Sequence, residues 1–292
     1  MVYVTIRQNR EEKQITWLDL INGTEEINYS TPGSPGTITR CYEELPERLK
    51  NSIYVDDMID ILEKFNESHK ALFEKDRASL YRHFSIPKKK GGLRPIDAPC
   101  DELKMASSEL RYILTEKFGL LYHTAAFAYV KRRSTVQEVR KHQMNESNWF
   151  LKTDFSGFFP STTLDFTMKI LKMIFPLSEV CKVERGYKAL EKALSLAFLD
   201  GVLPQGNPLS PMLSNLCALP IDHKIFNDLA HRKFVYTRYA DDIHISCVQK
   251  FDKDEMVKYI EDVLKEFGAP WKIKPEKTLF GTNKASSSNW ML

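Results

Sequence analysis

The chain reads as an α+β protein built around an antiparallel sheet. Three observations predict it. Strand-like and helix-like stretches are mixed without the regular alternation that makes a parallel sheet. Two pairs of strand-like runs are separated by turn signals too short for a crossover, one in Phe84–Ile96 and one in Phe234–Ser246. Between them lie stretches with apolar residues at helical spacing, such as Leu103, Leu110, Ile113, Leu114 and Phe118.

In order, Val2–Ile6 is strand-like and Thr31–Gly36 is a turn or linker by composition. Ile53–Phe73 predicts a helix through Met58, Ile59, Leu62 and Phe65. Phe84–Pro87 and Leu93–Ile96 predict strands about a Lys-Lys-Lys-Gly-Gly turn. Asp101–Phe118 predicts a helix and Asn148–Phe155 a short strand carrying Asp154. Leu164–Phe175 and Tyr187–Leu199 predict helices. After the turn-like Leu203–Pro208, Leu213, Leu216, Cys217, Ile221 and Ile225 predict another helix, which Pro220 should kink or break. Phe234–Ser246 predicts a β-hairpin. Met256–Phe267 predicts an amphipathic helix with Gly268 as its C-cap, and Trp271–Lys274 a last strand.

Composition removes several classes. The 292 residues suffice for one large domain or a few subdomains. No apolar run approaches the ~20 residues of a membrane span, and the N-terminus lacks a secretory h-region. Five scattered cysteines without a CxxC pair argue against a disulfide framework and a zinc site, so a cytoplasmic setting is expected. The net charge is only +3, but it is segregated. Tyr81–Arg94 holds five bases and no acid, and Lys131–His142 five bases against Glu138. Such stretches suit a polyanion, or are solvated faces.

The chemistry starts at Tyr239-Ala-Asp-Asp242. Upstream, Phe234–Tyr239 is aromatic and β-branched; downstream, Ile243 and Ile245 alternate with His244 and Ser246. The aspartates therefore fall at a tight turn that should lift them off the sheet into solvent. Ordinary turn chemistry accounts for such a pair. So does a divalent cation, since hard carboxylate oxygens suit Mg²⁺, with water and phosphate as its other ligands. A third carboxylate is needed. Asp154 can supply it if the strand of Asp154 neighbours that of Asp241, and two ions so held perform in-line phosphoryl transfer.

The same residues stand in an ordered series. Ile86-Pro-Lys-Lys-Lys-Gly-Gly-Leu-Arg-Pro-Ile96, Phe127–Ser134, Leu151–Ser161, Gly201–Asn215 with its Pro-Gln-Gly, Tyr239–Asp242 and Lys274–Thr278 follow one another. Together they resemble the reverse transcriptases, specifically the bacterial ones of group II introns, retrons and phage-defence systems. The resemblance implies a right-hand polymerase fold. Residues 81–147 would be fingers and 148–292 palm, with fingers-associated helices in about 164–200, after an N-terminal extension of 1–80. The chain stops at Ser288–Leu292, where a primer-grip hairpin should begin, so a missing or truncated thumb is expected.

Roles follow from the resemblance alone. Asp154, Asp241 and Asp242, with the backbone carbonyl of Phe155, would hold two Mg²⁺ ions, Mn²⁺ being a substitute. Lys88, or Lys89 or Lys90, and Arg94 would clamp the triphosphate, or else belong to an exposed hairpin. Phe159 would exclude a 2′-hydroxyl, or else be a core residue like Phe158. Gln205 would reach the nucleotide beside the template base, and Lys277 would lie near the phosphates and protonate pyrophosphate, or else be a solvated lysine on a loop. Arg132 and Arg133, with Tyr239, would contact nucleic acid, the two arginines being otherwise a solvated surface. Retron enzymes carry Asn-Ala-x-x-His after the fingers serine; here Glu138-Val-Arg-Lys-His142 keeps only the histidine. His244 is expected at a surface or in the sheet. The activity implied is RNA-directed DNA synthesis from an RNA template, a DNA or RNA primer and dNTPs, with a structured noncoding RNA or accessory protein as a further partner. Template-independent nucleotidyl transfer and a weakly catalytic nucleic-acid-binding scaffold are the alternatives.

Overall fold

The computed structural model describes residues 3–8, 11–16, 55–88 and 91–282. Thr31–Gly36, Lys89 and Lys90 lie outside them, as does the chain end at Ser288–Leu292. Near the N-terminus β1 (Tyr3–Gln8) pairs antiparallel with β2 (Glu11–Thr16). The predicted helix near residue 60 is α1 (Val55–Ser68), continued after His69 by α2 (Lys70–Glu74). Its Met58, Ile59, Leu62 and Phe65 point into the core, as spacings of three and four require.

The basic hairpin is β3 (Tyr81–Pro87) and β4 (Leu93–Pro99), in register from Tyr81 opposite Pro99 to Pro87 opposite Leu93. Helix α3 (Asp101–Tyr112) ends in a wider turn over Ile113–Lys117. Helix α4 (Thr135–Met144) starts where Ser134 accepts a hydrogen bond from the Gln137 amide. Strand β5 (Trp149–Ser156) carries Asp154. Three helices follow, α5 (Leu164–Leu171), α6 (Leu177–Lys182) and α7 (Glu184–Ser195). The helix predicted over Leu164–Phe175 ends at Leu171, and the short α6, which begins just after Pro176, was not expected.

Helix α8 (Ser210–Ala230) corrects one expectation: it runs through Pro220 without a break. An interior proline costs about 3 kcal/mol, but most of α8 is buried, Pro220 included, and Leu213, Leu216, Ile221 and Ile225 join the hydrophobic core. That packing outweighs the lost backbone bond. The hairpin of β6 (Val235–Tyr239) and β7 (Asp242–Cys247) follows, then α9 (Lys253–Phe267), capped by Asp252 and by Gly268 at φ 67°. Two short strands, β8 (Lys272–Ile273) and the unexpected β9 (Leu279–Thr282), close the described chain.

The main sheet is antiparallel, in the order β6-β7-β5, with β8 and β9 sharing the far edge of β5. Helix α8 packs against β6 on one face. The other face is covered by α4 with polar groups. Glu138 accepts from Thr237 (2.8 Å) and meets His244 Nδ1 (2.9 Å). His142 bridges Ser246 and Thr237 at 2.6 and 2.8 Å. The period-2 pattern of β7 thus assigns the two faces, but His244 is not at a surface; both faces are buried. Burial pushes the His142 imidazole down to about 3, with His244 and Lys141 adding to the shift.

Candidate active site

Strand register assembles the acidic centre. Asp154 lies opposite Asp242 on adjacent antiparallel strands, and the Phe155 amide donates to the Asp241 carbonyl at 2.9 Å. The hairpin turn is tighter than expected. Tyr239 and Asp242 pair directly, so only Ala240 and Asp241 form the turn. Asp242 is the first residue of β7 rather than part of a tip, and Asp241 is half-buried rather than lifted into solvent. Ala240 adopts φ 56°, a region that L-residues other than glycine enter at a cost of about 1–2 kcal/mol.

The gap between β8 and β9 falls beside Asp154. There the one-turn helix Pro275–Lys277 faces β5, and the Lys274 amide donates to the Asp154 carbonyl at 3.2 Å. Lys277 Nζ donates to Asp154 Oδ2, while Lys274 Nζ stands 3.7 Å from Oδ1. Asp154 Oδ1 is buried and has no hydrogen-bond partner. Lys152 stands 3.7 Å from Asp242. Burial raises the pKa of Asp241; its own amide opposes the rise, Asp242 and Asp154 add to it, and Lys277 opposes it. The hydrogen bond to Asp154 raises that of Lys277.

Among the described residues no three His, Cys, Asp or Glu side chains stand close enough to hold an ion unaided. The donor set still fits a hard divalent cation completed by water and substrate oxygens. Crowded carboxylates repel, and a buried carboxylate oxygen without a partner is costly. A cation at this end of the sheet relieves both.

Aromatic packing fixes the loop after Asp154. Phe155 stacks on Trp271 with centroids 5.3 Å apart and Phe158 at 4.8 Å, and the indole of Trp271 donates to the Phe158 carbonyl and Thr162 Oγ1. Phe158 is a core residue; Phe159 is only partly buried, its ring 6.4 Å from that of Tyr129. Tyr129 is 54% exposed and its pKa is raised, first by burial and then by Asp241 and Tyr239. Its ring thus lies beside the loop that follows Asp154. Its sequence block offered no reason to single it out, since its position depends on a backbone φ of 61°.

Gln205 sits in a loop pressed onto β4. Its carbonyl accepts from the Asp97 amide (2.8 Å), Asn207 donates to the Tyr81 hydroxyl (2.9 Å), and Ser210 to the Pro204 carbonyl (2.8 Å). A Cβ on Gly206 would lie 2.3 Å from the Asp97 carbonyl, so only glycine fits there. Lys88 and Arg94 are exposed at the hairpin end, and the Lys88 amide donates to Gly92. Arg132 is exposed with φ 64°, and Tyr239 is 36% exposed. Arg133 departs from expectation. Its guanidinium turns inward and donates to the carbonyls of His123 and Ala126 at 2.5 and 2.6 Å, so it braces its own loop.

The sequence matches the family described as "Reverse transcriptase (RNA-dependent DNA polymerase)" over residues 86–290. Retron Ec73 reverse transcriptase of Escherichia coli is 29% identical over 201 residues, covering 67% of this chain and 62% of that protein. Retron Mx162 reverse transcriptase of Myxococcus xanthus is 32% identical over 183 residues, covering 59% and 37%. The chain thus spans less than two thirds of the length of these relatives. A structure of telomerase from Candida albicans aligns with a TM-score of 0.48 at 12% identity, over 70% of this chain and 43% of that one. Among the described residues no helix is long and apolar enough to cross a membrane.

Proposed function

Because the chain belongs to the reverse transcriptase family, we propose that it extends a primer 3′-hydroxyl with dNTPs copied from an RNA template. The observation that carries this reading is the register of β5 against β7, with Asp154 opposite Asp242 and bonded through Phe155 to Asp241. In this reading residues 81–147 act as fingers and 148–292 as palm. Asp154, Asp241, Asp242 and the Phe155 carbonyl hold Mg²⁺, or Mn²⁺ in its place. When bound, the ions lower the pKa of the attacking hydroxyl and steady the leaving pyrophosphate.

The protein's own groups do the rest. Lys277, already hydrogen-bonded to Asp154, is close enough to the acidic centre to give a proton to the leaving pyrophosphate. Phe159 meets the sugar and refuses a 2′-hydroxyl; its partial exposure beside Tyr129 supports that role better than the buried Phe158. Lys88 and Arg94 reach the triphosphate from the hairpin, and Gln205 the nucleotide. Arg132 and Tyr239 contact the nucleic acid. The setting proposed is the cytoplasm of a bacterium carrying a retroelement or defence system; the retron enzymes of bacteria among its relatives support the retroelement.

The test is primer extension by the full chain on RNA, on DNA and without template, with dNTPs or rNTPs. RNA-dependent dNTP addition that Asp154→Asn abolishes, with folding intact, is the expected result. Asp154→Asn extending as well as wild type removes the metal assignment. Addition without template favours untemplated transfer, and no addition favours the scaffold reading.

A further inference from the structure

Arg238 is the largest fully buried side chain of the described chain, and its charge is wholly engaged. Nε and Nη2 form a fork on Asp222, at 2.8 and 2.7 Å. The Tyr236 hydroxyl donates to the same carboxylate at 2.7 Å. Nη1 donates to Asn215 Oδ1 (3.1 Å) and to the carbonyl of Ala240 (2.7 Å). Ala240 is the positive-φ residue of the turn that presents Asp241. The guanidinium also lies 5.6 Å from the Phe158 ring, in the loop that follows Asp154. Asn215 in turn donates to the carbonyl of Ala128, next to Tyr129 (2.9 Å).

A buried ion pair is often no more stabilising than apolar residues of the same volume, so stability alone is a weak reason for this one. Its fourth bond goes to a backbone atom that needs holding. Ala240 pays a conformational cost at φ 56°, and such a conformation persists where its surroundings over-determine it. We propose that Asp222, Arg238 and Asn215 form a positioning clamp. Anchored on α8, it grips the Ala240 carbonyl and so sets Asp241 against Asp154. Arg238 touches no substrate in this arrangement and acts through the turn. The inference rests on the polymerase reading for its kinetic consequence, but not for its structural one.

The test uses the full chain carrying Asp222→Leu with Arg238→Met, which leaves no lone charge buried. A second protein adds Ala240→Gly, since glycine takes positive φ without help. Hydrogen exchange reads the Phe155 amide, which donates to Asp241. In the double variant it should exchange about tenfold faster, as befits one lost charge-assisted hydrogen bond, while amides of Trp149–Leu151 keep their rates. In primer extension kcat should fall about 10²-fold, the cost of a small misplacement, with the dNTP KM unchanged. Ala240→Gly should restore part of the loss. Unchanged Phe155 exchange overturns the clamp whether or not the wild type polymerises. Uniform loss of protection across the sheet, or a kcat per folded molecule equal to wild type, overturns it as well. An inactive wild type defeats the polymerase reading, and exchange then decides the clamp alone. If the double variant does not fold, Arg238→Lys gives the same readouts, because a single ammonium cannot grip both Asp222 and Ala240 as the fork does.

Discussion

Two ion pairs lie near the Tyr239–Asp242 turn. Arg238 and Asp222 meet with neither side chain exposed, and the fork uses both carboxylate oxygens. Lys277, 53% exposed, meets the buried Asp154 through one ammonium and leaves Oδ1 without a hydrogen-bond partner. The first carboxylate is saturated by the protein, so it can only hold structure. The second is half-satisfied by a group that solvent can reach, so it can exchange its partner for an ion or a substrate. Saturation separates the two roles where charge alone does not.

Breaking the closed pair should have the largest effect. Asp222→Ala leaves Arg238 buried without its counter-charge and should cost about 3–5 kcal/mol in denaturant unfolding; a loss no larger than that of Lys277→Met would put both pairs in one class. His142, both of whose ring nitrogens are engaged by Ser246 and Thr237, sharpens the contrast through pH. His142 has a folded pKa of about 3 against an ordinary value near 6.5. Its neutral form is therefore favoured by folding, and that contribution is whole above pH 6.5. It is lost progressively as pH falls toward 3, by up to about 1.4 kcal/mol per unit. Denaturation midpoints between pH 7 and 4 should fall accordingly, and His142→Gln should flatten that slope. The open pair should yield least. Lys277→Met should cost about 1–3 kcal/mol, the penalty for leaving the buried Asp154 Oδ2 without its donor, and less than Asp222→Ala because Lys274 remains 3.7 Å from Asp154. A loss like that of Asp222→Ala would erase the distinction.

Much of this was legible in the residues. The alternation of Ile243 and Ile245 with His244 and Ser246 correctly divides β7 between two faces, and Gly268 ends α9 as its position after an amphipathic run requires. The alternation could not say that α4 covers the polar face, because Glu138 and His142 come from a hundred residues upstream. Pro220 carried a true local signal that burial of α8 overrides. Arg133 read as a surface base because its two backbone acceptors, His123 and Ala126, carry no side-chain signature. Tyr129 and the inward fork of Arg238 on Asp222 were likewise invisible.

By itself, the amino-acid order determined the antiparallel α+β plan, the chemistry of the ordered motifs and which acids could act together. Local periodicity and residue type are enough for that. Only tertiary structure decided which of those acids stay available. That depends on whether chain segments distant in sequence bring enough donors to a carboxylate to saturate it. Asp222 receives them from Arg238 and Tyr236, and Asp154 does not.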